Sequence, residues 1–133
     1  DISFHAGPGE ITAIIGGTGS GKSTLISLIP RFYDVTSGRI LVNGTDIRDM
    51  MQENLRNRIG FVPQKALLFT GTIAENIRYG KEDVTDEEIR HAAKVAQAAD
   101  FISSMEGGDD AEISQGGSNV SGGQKQRLSI ARA

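Results

Sequence analysis

Gly16-Gly17-Thr18-Gly19-Ser20-Gly21-Lys22-Ser23-Thr24 is the stretch whose reading decides the fold. It follows the apolar run Ile11-Thr12-Ala13-Ile14-Ile15 and precedes Leu25-Ile26-Ser27-Leu28-Ile29, so it reads as a turn from a strand into a helix. That is the context a G-x-x-x-x-G-K-[ST] phosphate loop requires. Glycines let the backbone curl without Cβ clashes, so successive N–H groups converge on one point. A helix over 22–29 aims its positive end at that point, Lys22 adds a mobile full charge, and the Ser23 hydroxyl is an oxygen donor suited to Mg²⁺. Four features thus agree on a nucleotide polyphosphate.

Outward from this loop, composition sets the bounds. A chain of 133 residues with 38% hydrophobic content is at most one domain with a real core. The formal charge is −3 and acidic residues gather between Glu82 and Glu88, which argues against a nucleic-acid surface or a polybasic membrane anchor. Cysteine is absent, excluding disulfides and thiolate metal sites. His5 and His91 are far apart and are expected to be ordinary surface or strand-edge residues. No apolar run reaches the roughly 20 residues of a membrane span. The chain starts in a strand-like segment and stops in a helix-like one, so a piece of a longer polypeptide is expected.

Along the chain, Asp1 to His5 and Glu10 to Ile15 read as strands flanking the turn Gly7-Pro8-Gly9. The first helix should end at Ile29, because Pro30 disfavours helical geometry in its predecessor. A strand over Arg39 to Val42 meets a tight reversal at Asn43-Gly44, a short helix is expected over Met50 to Arg58, and a short buried strand over Ile59 to Val62. This alternation is the α/β pattern. Beyond residue 70 the character turns helical. Capping boxes at Thr72 to Glu75 and Thr85 to Glu88 start one helix through Tyr79 and another to about Ala99, the latter with a narrow stripe of Ile89, Ala92, Ala93, Ala96 and Ala99 suited to close packing. Residues 107–119 read as a loop. The expected division is an α/β core portion over 1–70 and a helical subdomain over 71–133.

A second anion-binding constellation closes the chain. In Val120-Ser121-Gly122-Gly123-Gln124-Lys125-Gln126-Arg127, Ser121 can cap a helix that carries Leu128, Ile130 and Ala131, and two glycines leave the N–H groups at its positive end unobstructed. Two such sites on different subdomains need two phosphate ligands, or one ligand held between two chains. The loop resembles the signature motif of ATP-binding cassette (ABC) ATPases. With the Walker A loop at Gly16 to Thr24 and Gln64 at the Q-loop position, three family motifs stand in the family's order. The run from Leu68 to Ile77 is similar to the segment after the Q-loop in exporter-type cassettes, those fused to a transmembrane domain.

The resemblance implies a P-loop NTPase core with a helical subdomain, here incomplete. It implies ATP and Mg²⁺ as cofactors and a second nucleotide-binding domain, homo- or heterodimeric, paired head to tail. Gly16, Gly17, Thr18, Gly19, Ser20, Gly21, Lys22, Ser23 and Thr24 would hold ATP, with Lys22 on the β- and γ-phosphates and Ser23 on the metal. Gln64 would reach the metal or the attacking water, which makes Lys22 and Gln64 the catalytic residues in this chain. Ser121, Gly122, Gly123 and Gln124 would cap the partner's ATP, with Ser121 and Gly123 donating to its γ-phosphate. Coupling helices of a transmembrane domain would dock near Lys65 to Thr72, where Leu67, Leu68 and Phe69 are either a docking surface or part of the core. The implied place is the cytoplasmic face of a membrane, reached through that transmembrane domain.

Some departures accompany the resemblance. The Walker B strand, the catalytic Glu and the switch His are not among these residues, and the family's adenine-stacking aromatic would precede Asp1. Gln115 stands where many members have Glu, as in asymmetric heterodimeric exporters. Two rivals stay open. One is a soluble cassette acting on nucleic acid or ribosomes, against which stand the lack of heptads and of a basic block between Gln64 and Ser121. The other is a degenerate cassette that holds ATP without hydrolysing it.

Overall fold

The computed structural model describes residues 2–81 and 83–133. Asp1 and Glu82, which the sequence reading counted in the first strand and the acidic cluster, lie outside the described residues. The chain divides into two compact units, Asp1–Ile59 and Gly60–Ala133.

In the first unit the glycine-rich loop leads into α1, Lys22–Leu28. The helix closes with Phe32 N–H donating to Ser27 O at 3.1 Å and Arg31 N–H to Leu28 O at 3.1 Å. Arg31 takes φ 56°, so this is the paired-bond closure that usually uses glycine. β1, Leu41–Val42, and β2, Thr45–Asp46, form an antiparallel hairpin across Asn43-Gly44, in register Leu41 to Asp46 and Val42 to Thr45. A 3-10 turn, Ile47–Asp49, and α2, Gln52–Arg56, follow. Ile47 and Leu55, at 2% and 0% exposure, are the buried hydrophobic residues of this unit.

Three expected strands are not formed. Residues 2–5, 10–15 and 59–62 adopt no regular element, and the strand expected over Arg39 to Val42 shortens to its last two residues. A strand exists through its ladder bonds to a neighbour. Among the described residues the strand pairs are β1 with β2 and β3 with β4 (below), so nothing pairs with the segment before the glycine loop. Ile11 and Ile15 are accordingly 98% and 93% exposed. The short helix expected over Met50 to Arg58 survives only as α2.

In the second unit, β3, Gly71–Thr72, pairs antiparallel with β4, Glu112–Ile113. Between them run α3, Ile73–Arg78, α4, Asp86–Val95, and α5, Ala99–Ser104; α6, Gly122–Arg132, follows. Both expected capping boxes are formed: Thr72 accepts from Glu75 N–H at 3.1 Å and Thr85 from Glu88 N–H at 3.3 Å. Helices α3, α4 and α6 pack on one another around Ile73, Ile77, Ile89, Ala93 and Leu128. A large aliphatic side chain taken fully out of water stabilises a fold by about 1.5–3 kcal/mol, and Ile73, Ile89 and Leu128 are at most 1% exposed.

The helix expected to run to Ala99 stops earlier. Gln97 adopts φ 56°, with Ala98 N–H donating to Ala93 O at 2.8 Å and Gln97 N–H to Lys94 O at 3.0 Å. This is the same closure as at Arg31, and α5 starts after it. Ala93 and Ala96 of the expected stripe are buried, Ala92 and Ala99 partly so. The segment expected as a loop over 107–119 contains β4 and two 3-10 turns, Gly108–Asp110 and Gln115–Gly117. His5 and His91 are both exposed. Among the described residues no helix is long and apolar enough to cross a membrane.

Candidate functional site

The glycine loop is a tight structure with its lysine folded back over it. Lys22 Nζ donates to Gly16 O at 2.6 Å, to Gly17 O at 2.7 Å and to Ser20 Oγ at 3.3 Å. The ammonium is thereby held over the mouth of the loop. Gly19 and Gly21 take φ 81° and 88°, which L side chains rarely adopt. At Gly16 the constraint is space instead: a Cβ there would stand 2.7 Å from Ser20 Oγ. Gly21 precedes the helix without a side-chain cap, so the first N–H groups of α1 carry no capping oxygen. Thr18, Ser23 and Thr24 are exposed. The result is a compact turn that carries a cation and leaves the helix start without a side-chain cap, a chemistry suited to an anion.

The second constellation lies in the other unit. Ser121 caps α6: its Oγ accepts from Gln124 N–H at 3.2 Å, and Gln124 Oε1 accepts from Ser121 N–H at 2.8 Å. The hydroxyl proton of Ser121 remains able to donate. Gly122 and Gly123 are exposed, and a Cβ on either would meet nothing within 4 Å. Their lack of side chain is therefore not demanded by packing. Behind them Lys125 Nζ donates to Gly116 O at 2.8 Å, tying the 115–117 turn to the helix. Gly117 takes φ 67°, and a Cβ there would press on Lys125 Cε at 3.0 Å and on Leu68 Cδ1 at 3.3 Å.

The structure therefore gathers Gly16, Gly17, Ser20 and Lys22 into one cluster and Ser121 with Gln124 into another. Gln64 belongs to the second unit and sits exposed on a bend, apart from the signature turn in sequence. As to metal, Ser23 and Gln64 offer neutral oxygens, and among the described residues no group of three His, Cys, Asp or Glu could hold an ion. A single neutral oxygen of either kind suits Mg²⁺, which keeps most of its shell as water and phosphate oxygen, rather than an ion bound by protein alone.

Of the apolar trio after Gln64, one residue is buried and two are exposed. Leu68 is buried at 6%, whereas Leu67 and Phe69 are 62% and 45% exposed. Phe69 stacks on Tyr79, with ring centroids 4.3 Å apart, and the Arg132 guanidinium lies 5.2 Å and 5.6 Å from the two ring centres. Beneath them is Asn76, 2% exposed. Its Oδ1 accepts from Phe69 N–H at 2.9 Å and from Arg132 Nη2 at 3.0 Å, and its Nδ2 donates to Phe69 O at 2.8 Å and Thr72 O at 3.0 Å. Partial burial draws the Arg132 guanidinium below its ordinary pKa, with Tyr79 opposing that shift. Sequence reasoning passed over Asn76 and Arg132. The available signal was an asparagine inside a short helix, where its propensity is poor.

A family model described as ABC transporter matches residues 1–133. A Bacillus subtilis (strain 168) protein, YgaD, carrying the name of a multidrug export ATP-binding/permease protein, is 55% identical over 132 residues, covering 99% of this chain and 23% of its own length. A Staphylococcus aureus (strain NCTC 8325 / PS 47) protein of the same description is 54% identical with the same coverage. The chain thus spans about a quarter of the length of the curated relatives it matches. Among solved structures, a bacterial Atm1-family ABC exporter with ATP bound superposes with a TM-score of 0.82 and 46% identity, over 87% of this chain and 20% of that one. The family model covers the whole chain, and the chain belongs to the ABC transporter family, with the P-loop NTPase fold of its ATPase domain.

Proposed function

We propose that the chain is the ATP-binding part of an ABC exporter, in which ATP binding and hydrolysis drive transport across a membrane that this part does not itself enter. The observation that carries the reading is the pair of glycine-rich turns, Gly16 to Thr24 with Lys22 clamped over it and Ser121 to Gly123 with open space at both glycines, each leading into a helix. The relatives' names, which describe export ATP-binding/permease proteins, support the exporter assignment.

In this reading the loop amides and Lys22 neutralise the β- and γ-phosphate oxygens, at about 1.5–3 kcal/mol per hydrogen bond to a charged group. Ser23 and Gln64 would each offer an oxygen to Mg²⁺, which when bound would supply charge stabilisation for phosphoryl transfer. To meet a phosphate, Lys22 exchanges the Gly16 and Gly17 carbonyls for phosphate oxygens, so nucleotide binding loosens the loop's own clamp. Ser121 and Gly123 cap the γ-phosphate bound by a second cassette, homo- or heterodimeric and placed head to tail. The dimer closes on ATP and reopens once that phosphate is cleaved. The α/β core portion over 1–70 and the helical subdomain over 71–133 would carry the two halves of each composite site. Leu67, Phe69 and Tyr79 present an apolar strip near Lys65 to Thr72 for the coupling helices of the transmembrane part, which would hold this domain at the cytoplasmic face.

The test is a pair of variants in the full-length protein. Lys22→Ala should weaken binding of a fluorescent ATP analogue by about ten- to a hundredfold, from the loss of one charge-assisted contact. Ser121→Arg should leave that affinity unchanged and abolish ATP-driven pairing of cassettes in light scattering. Unchanged affinity in the first variant, or an unaltered dimer in the second, refutes the corresponding half of the reading.

A further inference from the structure

Arg132 ends the helix that Ser121 begins, and its side chain is spent on a distant segment. Nη1 donates to Leu67 O at 2.9 Å, Nε to Asn76 O at 2.8 Å and Nη2 to Asn76 Oδ1 at 3.0 Å, while its face covers the Phe69 and Tyr79 rings. All three hydrogen bonds of the fork and both ring contacts of its face go to the strip that includes Leu67 and Phe69, or to the residue beneath it. Asn76 holds the same strip from the inside by bonding both the N–H and the C=O of Phe69. Guanidinium suits this position because its rigid fork reaches several acceptors in one plane and its flat face stacks on aromatics, neither of which an ammonium does. Helix α6 is thus locked at its far end to the strip, while its near end presents the signature turn.

We infer that Arg132 is a positioning residue that makes the signature helix and the Leu67–Phe69–Tyr79 strip move as one body, so that engagement of nucleotide at Ser121 and Gly123 is felt at the strip. This rests on the nucleotide-binding and docking roles proposed above. The connection is a continuous chain of contacts: Ser121 cap, α6, Arg132, Asn76, Phe69. A second tie, Lys125 to Gly116, binds α6 to the neighbouring turn but makes no hydrogen bond to the strip.

The experiment is hydrogen–deuterium exchange on the full-length protein, with and without Mg²⁺ and the non-hydrolysable ATP analogue AMP-PNP. In the wild type, nucleotide should slow exchange in residues 118–126 and in 66–72 alike, by about fivefold or more, the low end of usual coupling between sites. In Arg132→Met the response at 118–126 should persist and that at 66–72 should vanish, and Arg132→Lys should restore only part of it. The double variant Phe69→Leu with Tyr79→Leu, which leaves every Arg132 hydrogen bond in place, should give a partial loss and serves if Arg132→Met does not fold. Retention of the 66–72 response in Arg132→Met overturns the inference. Loss of both responses together also overturns it, because Arg132 would then only hold the fold. If residues 16–24 of the wild type gain no protection, the nucleotide reading itself has failed; if they gain it while 66–72 stays silent, only the role of Arg132 has.

Discussion

At the scale of single residues, Gly122 and Gly123 separate what folding needs from what function needs. Each could carry a side chain without meeting any atom within 4 Å. Glycine also costs a helix up to about 1 kcal/mol relative to alanine. Gly122→Ala and Gly123→Ala should therefore leave the melting temperature of the intact protein unchanged or slightly higher while, on the function proposed above, ATP turnover falls, because the added methyl would stand where the partner's phosphate is proposed to approach. Equal turnover would show that these amides touch nothing. Gly16 is the opposite case, since its Cβ would collide with Ser20 within the loop. The sequence made both positions visible through one motif each, but only the structure distinguishes the glycine at which a Cβ would collide from the pair at which it would not. Arg132 was illegible for another reason: its hydrogen-bond partners lie 56 and 65 positions away, beyond any local pattern.

At the scale of elements, devices contained within four residues could be read and those using atypical residues could not. The boxes at Thr72 and Thr85 were legible because donor and acceptor are three positions apart. The closures at Arg31 and Gln97 were missed because neither residue is glycine, although both sit in the left-handed region. Gln97→Gly should thus stabilise the second unit or leave it unchanged, since left-handed strain of about 1–2 kcal/mol is relieved against extra freedom in the unfolded chain. Thr85→Ala should cost about 1 kcal/mol. Denaturant unfolding of the two variants checks both signs. In the first unit, Asp46 caps the 3-10 turn by accepting from Arg48 N–H at 3.0 Å and also pairs with the Arg48 side chain at 2.7 Å. Bonding by the Arg48 side chain, then by its backbone, lowers Asp46 from 3.8 to about 2. A depressed carboxylate stabilises the folded state above its unfolded pKa and stops doing so as pH falls through its folded one. The 3-10 turn should accordingly loosen between about pH 4 and pH 2, and Asp46→Asn should remove that dependence, as chemical shifts of Arg48 recorded against pH would report.

At the scale of the whole molecule, the class of fold was readable from the glycine loop and the helical run after residue 70, while the sheet was not. Alternation in Ile2 to Phe4 and the apolar run Ile11 to Ile15 announced strands, yet a strand pattern states only that a residue run can pair, not that a neighbour is present. In the isolated 133-residue chain, amides of 10–15 should exchange with deuterium at nearly unprotected rates, while those of α4 and α6 should be protected by the packed helices. Slow exchange in 10–15 would mean that a partner strand forms there after all. The exposed isoleucines of that stretch have a further consequence. Ile11-Thr12-Ala13-Ile14-Ile15 is uncharged, free of proline and rich in β-branched side chains, the composition of segments that stack into cross-β fibrils. In concentrated solutions of the isolated chain, aggregation would start from this run, and one lysine at position 11 or 15 should delay the onset of thioflavin fluorescence.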